Sequence, residues 1–143
     1  MLTTAMAFNM LHLMYRQLTL HFDLYPFNNF RAISFRRRLF KSILDGTLML
    51  FPLVVLRTEN LCMIKVASGI LLLLLIKEFL TWWLPYFAQS SGDWNFRYQE
   101  IFAETINVLP KIRDNPIPNL EHCILHTLTL ASFLSTIIYL ISN

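Results

Sequence analysis

The sequence predicts an all-α integral membrane protein, with three transmembrane helices and two amphipathic interfacial helices in one membrane domain covering 1–143. Three observations carry that prediction. Of 143 residues 55% are hydrophobic and only 15% charged, where an ordinary soluble domain carries about 25%. The apolar residues gather into runs, the longest having the core VASGILLLLLI over 66–76. The basic residues flank these runs instead of lining a solvated face, so the net charge of +3 does not indicate nucleic acid. Two cysteines exclude a multi-bridge secreted scaffold. Few glycines and 12 phenylalanines exclude collagen-like and disordered chains.

The first element, 4–24, is amphipathic. At 100° per residue Phe8, Leu11, Met14, Tyr15, Leu18 and Phe22 share one face, and Asn9, His12, Arg16, Thr19 and Asp23 the other. It is expected to lie in the membrane interface or on a partner and to end before Pro26. The N-terminus lacks the basic-then-apolar design of a secretory signal, although its acid-poor, Arg-containing character is shared with mitochondrial presequences.

The first expected span, 39–56, is short and holds Asp45, Gly46 and Pro52. It reaches membrane length when Lys41 and Arg57 extend to the headgroups. The second, 61–87, supplies the required ~20 apolar residues with some to spare. Trp82, Trp83 and Tyr86 then form an aromatic belt, and Pro85 helps end the helix. Only 57–60 separate the two spans, which predicts an antiparallel hairpin. Ser68 and Gly69 make a notch suited to close helix packing.

Ser90-Ser91-Gly92-Asp93 has the form of a capping signal for a second amphipathic helix over 92–109, closed by Pro110. Its Trp94, Tyr98, Ile101, Phe102, Thr105 and Leu109 oppose Arg97, Glu100, Glu104 and Asn107. The stretch 113–119 reads as an ordered turn, because its prolines restrict both themselves and their predecessors. The last span, 120–141, contains no charge beyond Glu121, which suits the positive end of the helix dipole, with Asn119 as N-cap.

Lys and Arg counts set orientation. Residues before the first span and in the 88–121 loop hold nine, against two in the hairpin. This predicts the N-terminus and the 88–121 loop on the cytoplasmic side and the C-terminus opposite. Cys62 and Cys123 then lie a membrane apart, too far for a disulfide.

Ionisable groups inside spans are costly and mark functional candidates. Asp45, Lys77, Glu78 and His126 share the cytoplasmic half and form a possible polar cluster. His122 and His126, at i and i+4, share a face that Thr129, Ser132 and Thr136 continue. A metal site there needs another ligand, for which Asp45 or Glu78 is better placed than Cys123, and haem would draw one His from each of two helices. The competing reading has both imidazoles hydrogen-bonded near the interface, so no cofactor is favoured. Arg36, Arg37, Arg38 and Lys41 read either as a topology anchor or as an anionic-lipid headgroup site. Lys77 is expected to extend toward the interface, leaving Glu78 to pair with His126 or stay protonated.

No phosphate loop, H-E-x-x-H, C-x-x-C or nucleophile elbow is present. The function expected is therefore a non-catalytic subunit or accessory of a larger membrane assembly, its partners being lipid and either other membrane subunits or further copies of itself. The first alternative is a self-associating proton or cation transporter or channel using Asp45, Glu78 and His126. The second is a metal or haem site at His122 and His126.

Overall fold

Four long helical segments cross one another's length in a computed structural model, which describes residues 1–88 and 92–143. The segments are α1 (Leu2–His21), α2 (Phe35–Thr58), α3 (Leu61–Glu78) and α6 (Leu120–Ile141). A π-helical turn, Phe79–Trp83, joins α3 to α4 (Leu84–Phe87), so the path expected as one span over 61–87 is helical throughout. Pro85 gives the physical reason for the widened turn. It has no N–H to donate and its ring crowds the carbonyl four residues back, which loosening the helix relieves. Among the described residues there is no strand.

Side chains set the helix ends. Asn28 donates to the carbonyls of Thr19 and Phe22 and accepts from Leu24 N, closing the last turn of α1. Glu59, in the left-handed region at φ 52°, breaks α2, and Asn60 Oδ1 then accepts from Cys62 N and Met63 N to open α3. The expected hairpin is thus formed. Asn119 Oδ1 accepts from His122 N and begins α6 where the sequence places its cap.

α1 lies along α2 and α6, and α3 packs on α6 and α2. At the hairpin end Ala5, Val55, Leu56, Ile64, Ala67 and Tyr139 form one cluster. Met49, Leu71, Leu74 and Leu125 make the middle layer. At the loop end Trp82, Tyr98 and Phe102 pack with Trp83, Trp94 and Ile117. α2 and α6 are long and apolar enough to cross a bilayer by length and composition, which supports association with a membrane. α3 alone is 18 residues and carries Lys65, Lys77 and Glu78.

Four expectations need correction. The first helix does not turn its polar face to solvent or headgroups. Asn9, His12, Arg16 and Thr19 are 1%, 0%, 8% and 6% exposed, while Leu11, Met14 and Leu18 are about half exposed. The stripe was correctly periodic, but its polar side finds partners on α2 and α6. Secondly, Met1 does not share an end with the 88–121 loop, because Ala5 sits in the hairpin-end cluster. Thirdly, the second amphipathic helix, α5 (Gly92–Ile101), stops short of Pro110. Thr105 N and Oγ1 both bond Phe102 O, Ile106 N reaches Pro26 O, and Ile106 O accepts from Leu120 N, so the backbone of this stretch is used elsewhere. Its expected Ser90-Ser91 cap lies outside the described residues. Fourthly, Gly69 meets no atom within 4 Å where a side chain would begin, so no helix among the described residues fills its half of the notch.

Candidate functional site

The middle layer of Met49, Leu74 and Leu125 floors a cleft of about 710 Å³ that opens toward the loop end between α2 and the α3–π-turn path. α5 closes part of its rim with Trp94, Arg97 and Ile101. All four members of the expected polar cluster, Asp45, Lys77, Glu78 and His126, line this one cleft, as do His122 and Trp82. They do not pair with each other there. The cleft wall holds six cations, Arg16, Arg36, Arg37, Lys41, Lys77 and Arg97, against two carboxylates, Asp45 and Glu78.

Each carboxylate is held by a residue of α1 or α6. Arg16, buried on α1, donates from Nε to Asp45 Oδ2 at 2.7 Å, with its terminal nitrogen at 2.6 Å. Its other terminal nitrogen lies 4.0 Å from Glu121 Oε1, so one guanidinium joins α1, α2 and α6. Glu78 Oε1 accepts from Thr129 Oγ1 at 2.9 Å, and Thr129 Oγ1 lies 3.0 Å from His12 Nε2. Glu78 is thereby tied to His12 through α6, and not to His126. Further along, Asn9 Nδ2 donates to Thr136 Oγ1 at 3.0 Å. Buried polar side chains therefore run the length of the interior. Arg16 and His12 are missed when α1 is read as a surface helix, although the alternating spacing of three and four residues that joins them to Asn9 and Thr19 was visible.

The two histidines are fixed separately. His126 Nδ1 lies 3.0 Å from Trp83 Nε1. Indole only donates, so Nδ1 accepts and the proton of the neutral ring is on Nε2. His122 Nδ1 lies 2.6 Å from Asn119 Oδ1, and its ring leans on Trp82 at a tilt of 38° with centroids 3.9 Å apart. Among the described residues no group of three or more His, Cys, Asp or Glu side chains is gathered for a metal ion.

The aromatic belt is placed differently from expectation. Trp82 and Tyr86 are 5% and 4% exposed. The π-turn and Pro85 direct them inward, Trp82 onto Trp94 and Phe102, and the Tyr86 hydroxyl to Pro110 O. Arg38 leaves the Arg36–Lys41 group to brace the connection, stacking 3.3 Å over Phe30 and donating to its carbonyl.

A Ser–His contact also occurs, between Ser42 Oγ and His21 Nε2 at 2.9 Å. Ser42 directs its one proton to Gln17 Oε1 at 2.6 Å, so His21 donates to the serine and does not act as its base. No known protein family, curated protein or solved structure matches the chain.

Proposed function

We propose that this chain is an integral membrane protein that works without catalysis, as an accessory or subunit whose loop-end cleft holds a ligand. The observation that carries the membrane reading is the inverted α1, with Arg16 and His12 inside and Leu11, Met14 and Leu18 outside. Water would reverse that distribution, whereas hydrocarbon favours it. In this reading 61–87 crosses as a third span, and α1 is embedded beside the three as a fourth. Both termini then share the side of the hairpin. The basic loop end, holding Arg36, Arg37, Arg97, Lys111 and Arg113, faces the cytoplasm. The non-catalytic reading rests on Ser42 lacking a base and on carboxylates engaged by Arg16 and Thr129.

Carbonate extraction of native membranes tests embedding, with the protein expected in the pellet. Release into the supernatant would overturn the reading. Purification in mild detergent, with mass measurement of the intact complex, tests the accessory role through a stoichiometric partner subunit.

A second reading is favoured by the polar interior from Arg16 to Asn9, namely proton or cation conduction through a self-associated form. Flux in liposomes that Glu78→Ala abolishes would favour it over the first.

A further inference from the structure

We propose that the cleft between α2 and α3 binds the anionic headgroup of a phosphate-bearing lipid, with the lipid's hydrocarbon leaving sideways into the bilayer. The inference deepens the membrane reading above and rests on it.

Charge selects an anion. Six cations line the cleft against two carboxylates. Asp45 is engaged by Arg16 and Glu78 through Oε1 by Thr129, while Glu78 Oε2 has no partner among the described residues. Among the described residues Arg36, Arg37, Lys41, Lys77 and Arg97 form no ion pair. Guanidinium pairs suit the several oxygens of a phosphate, which accept two bonds from one fork. Neutral donors add to the charge. Trp94 Nε1 and His126 Nε2 belong to cleft-lining residues and are buried with no partner among the described residues. Trp83 holds His126 in the tautomer whose Nε2 donates.

Shape and polarity select an amphiphile over a free ion. At about 710 Å³ the cleft lies in the ordinary range for organic ligands, about 300–1,000 Å³, and far exceeds what a phosphate fills. From Arg36 and Arg37 its wall runs along α2 to Phe40, Leu44 and Met49, turning from cationic to apolar over ~20 Å of helix at ~1.5 Å per residue. Phe40 and Leu44 are 67% and 46% exposed at its margin, while Met49 and Leu74 close its floor. A headgroup at the cations therefore leads its chains past Phe40 and Leu44 into hydrocarbon.

The test uses full-length protein in detergent, titrated with palmitoyl-oleoyl phosphatidylglycerol and, separately, the matching phosphatidylcholine, with bound lipid counted by native mass spectrometry. One phosphatidylglycerol per chain is expected to be retained, in preference to phosphatidylcholine. Replacing Arg36, Arg37, Lys77 and Arg97 by Gln is expected to weaken retention at least about tenfold. Arg57→Gln with Lys65→Gln at the other end is expected to leave it unchanged. Leu44→Trp keeps every charge while filling the apolar margin, and is expected to weaken retention too. Equal retention of both lipids, an unaffected quadruple variant, or equal loss in the Arg57/Lys65 control would overturn the proposal. Displacement of the lipid by millimolar inorganic phosphate would instead assign the site to a soluble anion and overturn the lipid source. If carbonate releases the protein from membranes, the reading beneath fails; if it stays embedded but retains no lipid, this inference alone fails.

Discussion

The Arg16 guanidinium meets the Asp45 carboxylate at 2.6 Å between α1 and α2, with both side chains nearly excluded from solvent. Removing one partner strands a buried charge. Asp45→Ala is expected to destabilise the protein by about 3–5 kcal/mol. Arg16→Met combined with Asp45→Leu is expected to cost less than Arg16→Met alone, because one buried carboxylate, Glu121, then loses its guanidinium neighbour instead of two. Thermal unfolding of the single and double variants in one detergent checks the ordering.

Thr129 stands between His12 and Glu78. Its replacement by Val keeps the shape but leaves an imidazole and a carboxylate without their bond, an expected loss of about 1–3 kcal/mol. Thr129→Ser keeps the hydroxyl and is expected to restore most of it. A Val variant as stable as the parent would show that the three groups are not coupled.

Labelling with a membrane-impermeant maleimide checks the arrangement of ends. Thr3→Cys and Ser142→Cys, each in a background without Cys62 and Cys123, are expected to react from one side, and Ala103→Cys from the other. A Thr3→Cys site that reacts with Ala103→Cys would restore the three-span topology with the first helix on the surface. The same geometry keeps Cys62 and Cys123 from forming a disulfide, and both are free thiols.

Asn119 caps α6, and its Nδ2 also donates to Thr105 Oγ1 at 2.9 Å. Asn119→Ala is expected to cost about 0.5–2 kcal/mol through the cap alone. It should also loosen the 102–119 connection, seen as faster amide exchange at Leu120 and Ile106.

Apolar run length located α2, the 61–87 path and α6, because membrane length and helix rise leave little freedom in where such runs begin and end. Asn119 marked its cap by local chemistry, while the Asn60 cap emerged with the fold. The orientation of α1 was not legible. Periodicity defines two faces but not which medium each meets, and the polar face of Asn9, His12 and Arg16 suits water as well as it suits a polar partner. The cleft was half legible: Asp45, Lys77, Glu78 and His126 were visible as costly groups, but their partners Arg16 and Thr129 come from helices far away in sequence. The end of α5 was hidden because Ile106 bonds Pro26 and Leu120, which no local pattern around Pro110 reports.

The Asn9–Thr136 hydrogen bond joins positions 127 residues apart. During synthesis α1 leaves the ribosome before α6, so until α6 emerges Asn9 and His12 have no native partner on it. A nascent chain halted before residue 120 would carry Asn9 and His12 without the Thr136 and Thr129 hydroxyls that they meet in the fold. Emergence of α6 therefore supplies the polar stripe of α1 with its native partners.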